Sequence, residues 1–366
     1  MAGATQSHGA TSDPMSIDTA LLGRICEAPG APGFEKEIRK LVLLELAGLA
    51  DEITTDNMGN VIALKKGRSS KKSVMAAAHM DEIGFIVTHV DDKGFVRFNP
   101  VGGFDAKTLT AQRVLIHGRK DLLGVMGSKP THIMTPDERN KVPQIKDYFI
   151  DTGLPKKEVD KLVAVGDPVT RYSPLMELGD CVNVKSLDNR VSVFVLIETL
   201  RALKTSKKKP AYDFHAAFTV QEEVGLRGAT VAALQAKPDF SFGLDTTIAY
   251  DIPGSTPQER CTALGEGAAI KIMDSSVICD YRMVAYMKAV ATRNKIKWQP
   301  EILAAGGTDT ASLQRMVPGG SIAGAVSIPT RHIHQSIESC HKKDIEDSIK
   351  LLTACVCELD KHDWKF

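Results

Sequence analysis

Strand patterns followed by helix patterns run along most of this 366-residue chain, and between about Gly84 and Gly179 that rhythm breaks. The alternation constrains the fold most, because strands separated by helices pair in a parallel or mixed sheet that needs helices on both faces. The first helix pattern follows Ser16, a capping residue type, with Ile17, Ala20, Leu21 and Ile25 on one face. A second spans about Phe34 to Ala47. Strand patterns cover Glu52–Thr55, Asn60–Lys65 and Ser73–Ala78. After Gly179 come helix Arg190–Leu203, strand Phe214–Val220, helix Ala229–Ala236 and strand Phe240–Leu244. Strand Ala268–Met273, helix Ser276–Thr292, a strand over 320–328 and helix Lys342–Glu358 complete the series.

The interruption carries short strands (Phe85–Val90, Phe95–Phe98, Arg113–Ile116, Val125–Gly127) and one helix pattern, Pro155–Val163, with a polar, exposed-loop composition over Met134–Lys146. The fold class is therefore α/β: a three-layer helix-sheet-helix catalytic domain from 15–84 and 180–366, with a small β-rich domain inserted at 85–179. Residues 1–14, rich in Ala, Gly, Ser and Thr, read as a disordered tail.

Composition removes several function classes. Forty-six Lys and Arg against forty-five Asp and Glu leave a net charge of +1, so no nucleic-acid or membrane partner is expected. Aromatic residues are 5% of the chain, too few for obvious stacking platforms. No apolar run nears the roughly 20 residues of a membrane span. Seven scattered cysteines, odd in number and without a CxxC pair, fit reduced thiols and a cytoplasmic location. The N-terminus lacks the basic and apolar regions of a secretory signal.

Chemistry-bearing residues follow the strands. Ser73–Ala78 leads to His79 and Asp81, Phe214–Val220 to Gln221-Glu222-Glu223, Phe240–Leu244 to Asp245, and the 320–328 strand to His332 and His334. Asp188 stands at the module junction just before a helix. Parallel sheets gather functional residues at the carboxyl ends of their strands, so these groups are expected at one rim. Mixed imidazole and carboxylate donors suit zinc or another first-row divalent ion, and five donors serve two ions if one carboxylate bridges. Asp188 is the expected bridge. His79 and Asp245 complete one ion; Glu223 and His334 complete the other. Zinc is expected first, with cobalt and manganese also compatible.

In extended chain the side chains of Glu222 and Glu223 diverge, which leaves Glu222 as general base for a metal-activated water. Asp81, two residues beyond His79, is expected to accept the second imidazole N–H. Each residue taken alone also reads as an ordinary cap or surface group; the ordered, balanced set is what points to a metal site. His89, His117, His132 and His215 read as structural, and His332 as a weaker ligand than His334. The Cys355-x-Cys357 pair is not a metal knuckle, because i and i+2 on a helix point apart.

The ordered motifs resemble the tetrahedral (TET) aminopeptidase family of dinuclear metallopeptidases. They include Thr55-Asp56-Asn57-Met58-Gly59-Asn60, Ala78-His79-Met80-Asp81-Glu82-Ile83-Gly84-Phe85, Leu187-Asp188-Asn189-Arg190, Gln221-Glu222-Glu223-Val224-Gly225, Gly306-Gly307-Thr308-Asp309 and Arg331-His332-Ile333-His334. The resemblance covers the chain from about residue 16. It implies the same ligand sets, with Glu222 as base and Asp81 as supporting carboxylate. It also implies a cis peptide after Asp188, and an insert that serves as dimerisation domain in twelve-subunit assemblies. Two small departures stand out: Asn189, where many relatives have Asp, and Gln335, where relatives commonly have Ser.

The expected activity is removal of N-terminal residues from peptide substrates. The rival readings are a deacylase or carboxypeptidase on the same core, a glycosidase, and a non-enzymatic assembly protein. A glycosidase needs two carboxyl groups across a sugar and no metal pair.

Overall fold

The computed structural model describes residues 17–366. The tail and the Ser16 cap lie outside the described residues. The first helix, Thr19–Glu27, is capped by Asp18, whose carboxylate accepts the Leu21 N–H at 2.9 Å.

The large sheet has four parallel strands at its centre, Tyr212–Thr219, Ser69–His79, Phe240–Ile248 and Ile322–Arg331, in that spatial order. Glu52–Thr55 and Val61–Lys65 extend one side. Glu338–His341, Cys181–Val184 and Met176–Leu178 extend the other, and Ala268–Met273 pairs with both Trp298–Ile302 and Ile322–Arg331. Side chains alternate through the strands as a pleated sheet covered on both faces requires. Val74, Ala76 and Ala78 join the larger core with Phe194, Leu196 and Leu352 of the helices Leu187–Ser206 and Lys342–Glu358. Met75 and Ala77 face the opposite side, where Ala232, Ala233 and Leu313 come from helices Arg227–Ala236 and Asp309–Arg315. This is the three-layer arrangement expected.

The insert is a closed barrel of six strands, in the order Gly84–Val90, Val96–Val101, Phe149–Asp151, Asp121–Gly127, Arg113–His117 and Pro168–Arg171. It has its own core, in which Phe85 stacks on Phe104 at 4.2 Å between ring centroids. Its last strand ends at Arg171. Strand Met176–Leu178 already pairs in the large sheet, so the return falls several residues before the expected 179.

Other elements differ from expectation, the first of them for a local reason. The helix expected from Ser276 begins at Tyr281, because Asp274 accepts the N–H groups of Ser276 and Val277 in a turn, and Asp280 then caps the helix. Asp245 lies within the Phe240–Ile248 strand rather than after it. The strand Trp298–Ile302 and the helix Asp309–Arg315 had no counterpart in the sequence reading.

Candidate metal centre

The parallel register brings the ends of the central strands together. Thr219 pairs with His79, so the chain leaving Thr219 enters Gln221-Glu222-Glu223 beside the His79 imidazole. Asp245 comes from the neighbouring parallel strand. Beyond Ile322–Arg331 the chain turns through His332 and His334 with φ of 64° and 61°. Asp188 opens the Leu187–Ser206 helix, where Asp188 and Asn189 have non-helical backbone and the peptide between them is cis.

Six of the seven expected residues converge as a cluster of donors. His79 Nε2 lies 3.6 Å from Asp188 Oδ1, 3.7 Å from Glu222 Oε2 and 3.8 Å from Asp245 Oδ1. His334 Nε2 lies 3.3 Å from Asp188 Oδ2 and 3.5 Å from Glu223 Oε2. The two oxygens of Asp188 thus face different imidazoles. Single donor atoms of His79, Asp188 and Glu223 fall within 4.8 Å of one another, and so do those of His79, Glu222 and Asp245.

Glu222 and Glu223 do diverge, towards His79 and His334 respectively, but not in extended chain. Gln221 adopts a left-handed φ of 55°, and the segment is a turn leading into the next helix.

Asp81, the seventh, sits behind the cluster. Its carboxylate accepts the Glu222 N–H at 3.0 Å and the Glu223 N–H at 3.1 Å. The His79 Nδ1 lies 3.1 Å from the Asp81 main-chain carbonyl and 3.4 Å from its Oδ1. The expected imidazole contact therefore runs mainly through the backbone. His332 lines the cleft but is not in the cluster.

The electrostatics are those of a site built around cations. Burial raises the carboxyls of Glu222 and Asp245 well above their usual range, and neighbouring carboxylates add to the rise. Burial and the Asp188 charge push Glu223 up to about 8. Burial opposes protonation of His334, yet the adjoining Asp188 and Glu223 raise it to about 9. Burial alone would raise Asp188 too, but hydrogen bonds from His334 and His79 hold it well below the usual carboxylate range. Glu223 Oε1 is buried with no hydrogen-bond partner among the described residues. Four carboxylates so crowded, one with an orphaned oxygen, fit divalent ions in their midst.

All six clustered residues line one cleft of about 690 Å³. Its lysine and arginine, Lys271 and Arg331, are already paired, with Glu301 and Asp251.

Sequence reasoning missed the groups that hold this cluster from behind. Glu338 Oε2 accepts the Asp188 N–H at 2.8 Å, and its Oε1 accepts the His334 N–H at 3.2 Å. Buried Asp309 accepts from Thr219 Oγ1 at 2.5 Å. Both lie in short polar segments with no apolar pattern around them, and the only signal was the presence of Asp309 in the Gly306-Gly307-Thr308-Asp309 motif.

A helix-sheet-helix domain with an inserted barrel, and a cluster of imidazoles and carboxylates where its central strands end, is the setting of a metal-dependent hydrolase. Residues 59–351 match the family described as M42 glutamyl aminopeptidase, and the chain belongs to that family. It is thus an aminopeptidase, a hydrolase acting on peptide bonds. It is 40% identical over 339 residues to an Acetivibrio thermocellus protein described as an unconfirmed aminopeptidase, covering 92% of this chain and 98% of that one. The TET aminopeptidase of Thaumarchaeota archaeon SCGC AB-539-E09 superposes with a TM-score of 0.90 at 34% identity, over 93% of this chain and 96% of that one. The Pyrococcus horikoshii TET1 peptidase, which can assemble into a tetrahedron or a large octahedral shell, gives 0.83 at 30% identity, over 93% and 99%. No helix among the described residues is long and apolar enough to cross a membrane.

Proposed function

We propose that the cleft removes N-terminal residues from peptides using two divalent ions, zinc first among them. His79, Asp188 and Asp245 would hold one ion, and Asp188, Glu223 and His334 the other. The observation that carries this reading is Asp188, whose two oxygens face His79 and His334 at 3.6 and 3.3 Å. Ions held there polarise a carbonyl and lower the pKa of water.

Glu222 is the proton carrier. Its carboxylate projects into the cleft, takes the proton of the attacking water and delivers it to the leaving amine. Asp81 fixes the backbone of Glu222 and Glu223, so the base and its neighbouring ligand keep their separation. The free α-amine of a substrate suits the carboxylate-rich floor. No unpaired lysine or arginine among the described residues lines the cleft to receive a substrate carboxylate, which favours an aminopeptidase over a carboxypeptidase.

A panel of aminoacyl fluorophores, with N-blocked and carboxyl-terminal substrates beside it, tests the reading with and without chelator. Chelator-sensitive cleavage of free-amine substrates is the expected result; preference for blocked substrates overturns it.

By likeness to the TET1 peptidase, the chain assembles through its barrel into dimers and then dodecamers, which mass measurement in solution checks. Seven unpaired cysteines support a reducing, cytoplasmic location.

A further inference from the structure

The barrel reaches the metal cluster. Arg171, the last residue of its last strand, is 1% exposed. Its guanidinium donates to the Gln335 main-chain carbonyl, to Ser186 Oγ at 3.2 Å and to Glu338 Oε1 at 3.4 Å. Glu338, itself fully buried, carries the main-chain N–H groups of Asp188 and His334 on its two oxygens. Gly103, in the loop after the barrel strand Val96–Val101, lies against the same imidazole: a Cβ there would sit 3.5 Å from His334 Nδ1.

One carboxylate holding two amides fixes the separation of the segments that carry Asp188 and His334. His334 also adopts a left-handed φ of 61°, a backbone state that a non-glycine residue keeps only when its surroundings enforce it. The planar guanidinium supplies that enforcement: Nη1 reaches both the Gln335 carbonyl and the Glu338 carboxylate, while Nη2 is anchored on Ser186 Oγ. An ammonium has a single nitrogen and no such second anchor. Among the described residues the His79 imidazole makes no side-chain hydrogen bond to the barrel; it rests on the main-chain carbonyl of Asp81, three residues before the first barrel strand.

We propose that Arg171 and Glu338 are a positioning pair through which the inserted barrel sets the His334 half of the metal centre. The ion bound by His334 and Glu223 then depends on Arg171 more than the ion bound by His79 and Asp245. This rests on the two-ion reading above.

The test uses the full chain, stripped of metal and titrated with zinc alone against a chromophoric chelator. Wild type is compared with Arg171→Met, Arg171→Lys, Glu338→Gln and, as a control in the barrel core on the strand opposite that of Arg171, Ile150→Ala. Wild type is expected to take two ions. Because Asp188 serves both ions while His334 serves one, Arg171→Met should weaken one ion only slightly and lose about 10–100-fold for the second, the usual penalty for removing a group that orients a ligand. Excess zinc should restore its turnover. Arg171→Lys should recover only part of the affinity, and Glu338→Gln should weaken the same ion. Ile150→Ala should lower thermal stability and leave both affinities unchanged.

Equal weakening of both ions in Arg171→Met, or the same weakening in Ile150→Ala, overturns the pairing. So does an Arg171→Met variant indistinguishable from wild type. If Arg171→Met does not fold, Glu338→Gln and Arg171→Lys decide by the same criterion. A wild-type chain that takes fewer than two ions overturns the two-ion reading instead.

Discussion

Asp81 holds Glu222 by its main chain: one carboxylate oxygen accepts the Glu222 N–H at 3.0 Å, while the other takes the next amide, that of Glu223, at 3.1 Å. The carboxylate thus shapes the turn that presents the base and a ligand candidate together. Asp81→Asn leaves one good acceptor where two are needed, and turns an amide N–H towards a backbone N–H. A fall of about 10–100-fold in kcat/KM is expected, by analogy with loss of groups that orient metal ligands. Steady-state kinetics alongside zinc content checks it; unchanged kcat/KM would remove the role.

Glu222→Gln preserves shape and removes the proton acceptor. Turnover should fall by about 10²–10⁴-fold, the usual contribution of a general base. Bound zinc, measured on the same preparation, should stay at the wild-type level. Near-normal turnover would move the proton-carrying role elsewhere.

Metal binding should strengthen with rising pH, because the ligands must shed protons first. Without metal, Glu223 sits at about 8 and His334 at about 9, both above their ordinary values of 4.5 and 6.5. Such raised groups stabilise the fold fully below the ordinary value and lose that contribution as pH climbs through the raised one. Their contribution to the stability of the chelator-treated protein should therefore decline between about pH 4.5 and 9, and zinc affinity should rise over the same range. Urea melts and zinc titrations at stepped pH values read the two trends; a flat zinc affinity between pH 6 and 9 contradicts the assignment.

Gly228 stands where the Glu222 turn enters its helix. A Cβ there would lie 2.4 Å from the Val220 carbonyl oxygen and 2.4 Å from Asn60 Oδ1. Asn60 in turn accepts the Val220 N–H at 3.0 Å and donates to the Gly228 carbonyl. Gly228→Ala should cost about 1–3 kcal/mol, as overpacking against backbone does. The urea midpoint measures it, and a midpoint equal to wild type would mean the turn yields freely.

The layers and the β-rich character of the insert were legible because apolar periodicity is local, but the closure of the insert into a barrel, which needs the short strands Phe149–Asp151 and Pro168–Arg171, was not. The rim of His79, Asp188, Glu222, Glu223, Asp245 and His334 was legible too, since each interrupts or follows an apolar run. What escaped was everything whose reason lies far along the chain. Glu338 holds an amide 150 positions away and Arg171 meets Glu338 across 167, and both sit in strands of four residues that show no period. The late start of helix Tyr281–Arg293 was hidden in one side chain, Asp274, which competes with the helix for its amides. The second duty of Asp81, holding the Glu222 and Glu223 amides, escaped for a related reason: spacing along an extended strand gives a direction, not the partner that arrives from another strand.

The sheet order has a consequence for biosynthesis. His79 leaves the ribosome first, the barrel strands over 84–171 follow, and Asp188, Glu222, Asp245 and His334 come after them. A chain made only as far as the barrel carries His79 alone of the six clustered residues, so the cleft is assembled only once synthesis has passed His334.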